Sequence, residues 1–135
     1  MATQIFVNLP VKDLNKSVEF FTKLDFKFNP QFTDENATSM IVGEDIFIML
    51  LVEKFFKTFT PKAISDSKKT TEVIISFSTE SRAKVDEMID RVLKAGGKLS
   101  SETQDLDFMY SRGFEDLDGH LWEYAYVDLS AMPPA

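Results

Sequence analysis

The first part of the chain alternates between apolar and polar residues. Within residues 4–11, QIFVNLPV, one face holds Ile5, Val7, Leu9 and Val11, and the other holds Phe6, Asn8 and Pro10. A period of two is typical of a half-buried β-strand. Asp13 follows as a predicted helix cap, because apolar residues then recur at helical spacing over residues 14–24. The runs FKFNPQF, SMIVG and DIFIMLLV complete a predicted strand–helix–strand–strand–strand unit.

The same order of elements begins again at residue 71. TEVIISFS is a predicted strand, and the polar residues 78–81 open a helix that ends at Gly96 and Gly97. KLSSE, DFMYSRGF and HLWEYAYV are three further predicted strands, so the chain contains an internal structural repeat. We therefore expect one domain made of module one (1–52), a linker (53–70), module two (71–128) and a loosely packed tail (129–135).

Two βαβββ modules predict an α+β fold. Each module is too small to close a core alone, so we expect the two to pair. Their mixed sheets would curve around a shared cleft, with helices on the outer faces. Because side chains alternate across a strand, Phe6 and Asn8 are expected to line the cleft. In the last strand Trp122 and Tyr124 are expected to pack on a helix, which turns Glu123 toward the cleft.

Composition and charge restrict the class of protein. The chain has 135 residues, 44% of them hydrophobic, which indicates a packed globular domain. A net charge of −7 argues against nucleic acid or an anionic membrane as a partner, because phosphate binding needs clustered Lys and Arg. The absence of cysteine excludes disulfides and thiolate metal sites. With no apolar stretch of about 18 residues and no signal-peptide pattern at the N-terminus, we expect a soluble cytoplasmic protein.

Both ends of the chain resemble one known family. FVNLPVKDLNKSVEFFTKLDFKF resembles the opening of the vicinal oxygen chelate superfamily, and DLDGHLWEYAYVD is similar to its closing Asp-x-Asp-Gly turn and strand. One departure is Asp25, where the pattern usually has Gly. The superfamily holds glyoxalase I, bleomycin-resistance proteins, fosfomycin-resistance enzymes and extradiol dioxygenases, so the resemblance implies the fold more closely than the chemistry. It also implies a homodimer.

The resemblance implies where a metal would be held. Metal enzymes of the superfamily place one His, Gln or Glu on each of four strands, and these positions fall on Phe6, Met49, Glu72 and Glu123. Phe6 cannot coordinate an ion, and a thioether is a poor ligand for a hard or borderline cation. Two carboxylates alone hold Mg²⁺ or Ca²⁺ only weakly, with water. No metal or other cofactor is therefore expected, and the single histidine, His120, is expected to lie away from the cleft.

The candidate catalytic residue is Glu123. It is interpreted as a general base or as a polar contact to a ligand, and the alternative is a structural bond to backbone or to Arg112. Arg112 is interpreted as a clamp for an anionic ligand or as a surface residue, and Tyr110 as a phenol that contacts the ligand. The sequence leaves open which face of strand 108–114 lines the cleft. The candidate ligand-binding residues are Phe6, Asn8, Phe47, Met49, Glu72, Tyr110 and Arg112.

Three hypotheses of function follow. The first is a metal-independent protein of the bleomycin-resistance type that binds a small organic molecule, suited to a cationic and partly aromatic ligand. The second is a lyase, isomerase or dioxygenase-type enzyme that uses Glu123, with or without a divalent metal. The third is a structural role with the cleft filled by side chains. Phe6 and Met49 at ligand positions favour the first hypothesis, and the carboxylates of Glu72 and Glu123 argue against the third.

Overall fold

The computed structural model describes residues 1–135 and divides them into two compact units, Met1–Asp66 and Ser67–Ala135. The boundary lies inside the segment predicted as a linker. Each unit contains a βαβββ module, and the second has one additional strand, so the predicted α+β class and the internal repeat are confirmed. None of the helices has both the length and the apolar character that crossing a membrane requires.

The first module is a four-stranded mixed sheet with one long helix. Its elements are β1 (Ile5–Val11), α1 (Leu14–Lys23), β2 (Lys27–Phe28), β3 (Ala37–Gly43), β4 (Ile46–Val52) and the short helix α2 (Glu53–Phe56). The strand order is β1-β4-β3-β2, with β1 parallel to β4 and the other pairs antiparallel. The Asp13 carboxylate accepts a hydrogen bond from the Lys16 N–H at 3.1 Å, so the predicted cap begins α1.

The second module repeats this topology and adds one strand. Its elements are β5 (Ile74–Ser78), α3 (Arg82–Lys94), β6 (Lys98–Leu99), β7 (Gln104–Leu106), β8 (Met109–Glu115) and β9 (Leu121–Val127). The order is β5-β9-β8-β6, with β5 parallel to β9, and β7 also pairs with β8. The Ser81 hydroxyl accepts from the Lys84 N–H at 3.0 Å and begins α3.

The predicted strands are wrong at four places, one of which is KLSSE, where only Lys98 and Leu99 lie in a strand. FKFNPQF forms only a two-residue strand, because the Asn29 side chain accepts from the Gln31 N–H at 3.0 Å and starts a 3₁₀ turn. Pro30 has no N–H to donate, which suits the turn and not a strand interior. The strand TEVIISFS begins three residues later than predicted, at Ile74. Strand β7 was not predicted at all.

One face of each sheet packs on its helix and forms a core. In the first module α1 lies against β4, with Phe20 and Phe21 almost fully buried. In the second module α3 lies against β8 and β9. Trp122 and Tyr124 are buried there, as predicted, beside Phe77, whose ring lies 5.2 Å from that of Trp122. The helix-facing residues of β1 are buried only in its second half, where Leu9 and Val11 lie.

The turn before β9 is held by a buried carboxylate. Asp116 Oδ1 accepts from the N–H groups of Asp118 at 2.9 Å and His120 at 3.0 Å. Asp116 Oδ2 accepts from Trp122 Nε1–H at 2.9 Å. Burial raises the pKa of Asp116, although the charge of His120 and the Trp122 hydrogen bond act in the opposite direction. This turn fixes the register of β9, and so the face on which Glu123 lies.

Candidate functional site

The face of each sheet opposite its long helix is called the open face. Phe6, Asn8, Phe47 and Met49 all lie on the open face of the first module, because Phe6 pairs with Phe47 and Asn8 with Met49 in the parallel register. The rings of Phe6 and Phe47 are stacked, with centroids 5.2 Å apart and planes at 17°. Phe6 is 54% exposed, so this stacked pair is an accessible aromatic surface.

The open face of the first module carries no charge on its three main strands. Met49 lies between Asn8 of β1 and Ser39 of β3 in the sheet register. Two residues away along the strands, Phe47 lies between Phe6 of β1 and Ile41 of β3 in the register. An aromatic and thioether surface of this kind packs against apolar or aromatic groups and offers few polar contacts.

Glu123 lies on the open face of the second module. In the register it is flanked by Ser76 of β5 and Gly113 of β8, and its side chain is half-buried. Its carboxylate has no hydrogen-bond or ion-pair partner in the protein. Of the alternatives raised by the sequence, the structural bond to backbone or to Arg112 is therefore not formed.

Tyr110 and Arg112 lie on the other face of β8, toward α3. The Tyr110 hydroxyl donates to Asp86 Oδ1 at 2.7 Å, and Arg112 Nη1 donates to the same oxygen at 3.0 Å. The hydrogen bond to Asp86 raises the pKa of the Tyr110 phenol. The residues of β8 that share the face of Glu123 thus include Ser111, Gly113 and Glu115. The structure brings Tyr110 and Arg112 together with Asp86 and separates them from Glu123.

Glu72 lies outside the strand that was expected to carry it. It is exposed and precedes Ile74, the first residue of β5. Ser76, and not Glu72, is the residue of this segment that lies beside Glu123. Glu72 lies two residues before the first residue of β5, so the sheet register does not pair it with Glu123.

The residues of the open faces do not fit the superfamily's metal. No group of three or more His, Cys, Asp or Glu side chains is arranged to hold an ion. A zinc- or nickel-type centre needs at least three such ligands and an open position. The positions implied by the resemblance hold Phe6 and Met49, which are unsuitable donors, and Glu72, which lies before its strand.

Three serine hydroxyls near Glu123 were missed by the sequence analysis. A Cβ atom added at Gly113 would lie 2.6 Å from Ser100 Oγ and 2.9 Å from Ser101 Oγ, so these hydroxyls fill the space that a side chain at the register partner of Glu123 would take. Ser76 was detectable from the alternation in IISFS, which puts it opposite the buried Phe77. The sequence pattern gave no indication of Ser100 and Ser101, because their position depends on the absence of a side chain at Gly113.

Comparison with known proteins gives a consistent family and fold. The model of the Glyoxalase/Bleomycin resistance protein/Dioxygenase superfamily matches residues 4–124. A hypothetical protein of S. aureus, SA1046, is 30% identical, with a TM-score of 0.80 over 93% of this chain and 95% of that chain. No curated protein matches the chain.

More distant structures share the fold. A glyoxalase-related enzyme from Fulvimarina pelagi is 17% identical, with a TM-score of 0.78 over 93% of this chain and 88% of that one. The fosfomycin resistance protein FosX from Mesorhizobium loti is also 17% identical, with a TM-score of 0.71 over 96% of each chain. The match of the family model over most of the sequence, together with the repeated βαβββ topology, shows that the chain belongs to the glyoxalase/bleomycin resistance protein/dioxygenase superfamily.

Proposed function

We propose that the protein binds a small, partly aromatic organic molecule on its open faces, without the superfamily's usual metal. The observation that carries the proposal is the stacked pair of Phe6 and Phe47 on the open face, 5.2 Å apart. Metal enzymes of the superfamily need a ligating side chain at the position of Phe6. The aromatic ring here cannot ligate a metal, but it offers a surface for packing. Binding through apolar contact does not require an ion.

The exposure of this pair supports a binding role. Phe6 is 54% exposed, so its ring contributes little to the core, although burying an aromatic side chain is strongly favourable. Neighbouring Met49 adds a flexible, polarisable side chain that adapts to ligands of varied shape. An aromatic ligand that covers these side chains would remove apolar surface from water and gain stacking contacts.

The open face of the second module offers a polar contact of its own, Glu123. Its carboxylate is unpaired and half-buried, and the whole chain carries a net charge of −7. A negative protein attracts cationic ligands and repels anionic ones. The proposed ligand is therefore an aromatic or amphiphilic molecule with a positive or hydrogen-bond-donating group. A homodimer, implied by the family, belongs to the same proposal, and sedimentation of the free protein tests it.

The experiment is an NMR titration of the ¹⁵N-labelled chain with a set of small aromatic compounds. We expect backbone shifts at Phe6 and Phe47, and an affinity for the best compound that falls about tenfold in Phe6→Ala, because one ring of the packing surface is lost. Phe32→Ala is the matched control, since Phe32 is 59% exposed but lies in the turn after β2. Equal loss in both variants, or no binding by any compound, would contradict the proposal.

An enzyme that uses Glu123 as a general base is the second candidate. The observation that favours it is the same unpaired carboxylate, because a base must be free to accept a proton from its substrate. Bound compounds kept in D₂O with the protein would distinguish the two candidates. If an acidic C–H of the ligand exchanges for deuterium, and Glu123→Gln abolishes this exchange, the enzyme is favoured. Ligands that remain unchanged would favour binding without chemistry.

A further inference from the structure

The open face of the second module differs from that of the first by a group of hydroxyls around one carboxylate. This group is called the hydroxyl subsite, and it consists of Glu123, Ser76, Ser100 and Ser101. Ser76 belongs to the strand next to Glu123 on one side, and Ser100 and Ser101 approach from the other. The subsite is thus built from three separate segments of the same module.

Gly113 makes the approach of two of these hydroxyls possible. It is the register partner of Glu123 on β8, so any side chain at this position would lie beside the carboxylate. Its missing Cβ leaves the space that Ser100 Oγ and Ser101 Oγ occupy, at 2.6 and 2.9 Å from where that atom would be. Ser100 is also tied to this residue, because its N–H donates to the Gly113 carbonyl at 3.2 Å.

The polar atoms of the subsite are not used by the fold. The carboxylate of Glu123 and the hydroxyls of Ser76, Ser100 and Ser101 make no hydrogen bonds within the protein. Each hydroxyl can both donate and accept, whereas an ionised carboxylate only accepts. The carboxylate therefore needs a donor from the ligand, and the hydroxyls can accept further bonds from the same group.

The charges on the same face leave Glu123 without a cation. Two other charged side chains of the paired strands lie on this face, Glu115 of β8 and Lys98 of β6, and these two are register partners of each other. Arg112 lies on the opposite face, bonded to Asp86. Glu123 is therefore the carboxylate of this face that lacks a basic neighbour.

From this arrangement we infer that the hydroxyl subsite binds the ammonium group of an amine-bearing ligand; the inference rests on the proposed binding function and names its ligand class. An ammonium has three N–H donors, which match one carboxylate and two hydroxyl acceptors. Hydrogen bonds between charged partners are roughly twice as strong as neutral ones. A carboxylate ligand would face an unpaired negative charge, and an alcohol would bring one donor and no positive charge.

The test uses three probes that share a phenyl group and differ in the polar end: 2-phenylethylammonium, 2-phenylethanol and 3-phenylpropionate. Each is titrated into the ¹⁵N-labelled full chain. We expect the ammonium probe to bind about tenfold more tightly than the alcohol, and the carboxylate probe to bind most weakly. The ammonium probe should also shift the amide signals of Ser76, Ser100, Gly113 and Glu123.

Two variants of equal charge locate the effect. Glu123→Gln should remove the preference for the ammonium probe, whereas Glu115→Gln, which removes a carboxylate from the same face, should change it by less than about twofold. Gly113→Ala should reduce the preference without abolishing binding of the phenyl group, because the new methyl group displaces the hydroxyls of Ser100 and Ser101.

The outcomes separate this inference from the proposed function. Equal binding of the three probes, or an ammonium preference that survives in Glu123→Gln, would overturn the inference while binding of aromatic molecules stands. An equal effect of Glu115→Gln would also overturn it, because the preference would then reflect only the charge of the face. If none of the three probes binds, the proposed function fails and the inference fails with it.

Discussion

The two modules place different chemistry at the same position of the same topology. Asn8 and Ser76 each lie five residues before the cap of the long helix, on the strand that runs parallel to the last strand of the module. The corresponding rows across the two open faces are Asn8, Met49 and Ser39 in the first module and Ser76, Glu123 and Gly113 in the second. A thioether therefore stands in one module where a carboxylate stands in the other.

This difference shows that the βαβββ frame determines where a side chain lies and leaves its chemistry free. The frame is maintained by the opposite face, where Leu50 and Trp122 are fully buried in their respective cores. The open faces are not held to that requirement, because Phe6 and Glu123 are both at least partly exposed. One module can thus offer an apolar surface while the other offers a polar one, without a change of fold.

The largest predicted difference between the modules concerns the turn that enters the last strand. The first module joins β3 to β4 by a short turn at Glu44 and Asp45, whereas the second relies on the buried carboxylate of Asp116. Asp116→Ala would leave the Trp122 indole N–H and two backbone N–H groups without an acceptor. We expect the free energy of unfolding to fall by about 3–5 kcal/mol, measured by urea denaturation.

Asp45→Ala is the control for this prediction, because Asp45 is exposed and the Ile5 N–H bonds to its backbone carbonyl, which the substitution retains. It should change the free energy of unfolding by less than about 0.5 kcal/mol. Comparable losses in the two variants would show that the turns are equivalent in stability and that Asp116 has no special part in holding β9.

The ends of the two long helices offer a second comparison. Both end with the same hydrogen-bond pattern, in which the Phe26 N–H donates to the Phe21 carbonyl and the Gly97 N–H donates to the Val92 carbonyl. The left-handed residue of this motif is Asp25 in the first module, with φ of 74°, and Gly96 in the second, with φ of 103°. An L-residue is strained in this conformation and glycine is not.

Exchanging these residue types should move stability in opposite directions. We expect Asp25→Gly to raise the free energy of unfolding by about 0.5–1 kcal/mol and Gly96→Ala to lower it by about 1–2 kcal/mol. The nearest atom to a Cβ at Gly96 is Leu117 Cδ2 at 3.5 Å, an ordinary contact, so the loss would come from the backbone. A stabilising Gly96→Ala, or a destabilising Asp25→Gly, in denaturant melts would show that other contacts of these residues dominate.

The frame was predictable from the sequence because its signals are local. Alternation placed Trp122 in the core and Glu123 on the opposite face, and the polar residues Asp13 and Ser81 marked the starts of the helices. These features depend only on neighbours in the chain. Topology followed because two copies of the same order of elements were recognisable.

The site was less predictable, because its members meet across the sheet. The face of Tyr110 could not be assigned, since apolar Met109 next to it blurred the alternation, and the partner that decides it, Asp86, lies on a helix. The contact of Ser100 with the Glu123 side of the sheet depends on Gly113, more than ten residues away in the chain. Periodicity carries no information on such contacts.

The smallest predicted effect concerns the helix faces of the modules and does not require unfolding. Val18 of α1 and Asp86 of α3 both lie five residues after their helix caps, so only the second module has a carboxylate there to bond a phenol. Tyr110 donates to Asp86, and this bond raises the pKa of Tyr110 above its ordinary value of 10.0.

Asp86→Asn should therefore lower the pKa of the Tyr110 phenol. A titration followed by ultraviolet absorbance measures this pKa, and the difference from the Tyr110→Phe variant assigns it to Tyr110. Because the pKa is higher in the folded state, the bond's contribution to stability is fully present below pH 10.0 and is lost as pH rises through the raised value. Asp90→Asn on the same helix is the control of equal charge, since Asp90 makes no bond to Tyr110. An equal shift in both variants would attribute the raised pKa to the general negative charge of α3 and not to the hydrogen bond between Tyr110 and Asp86.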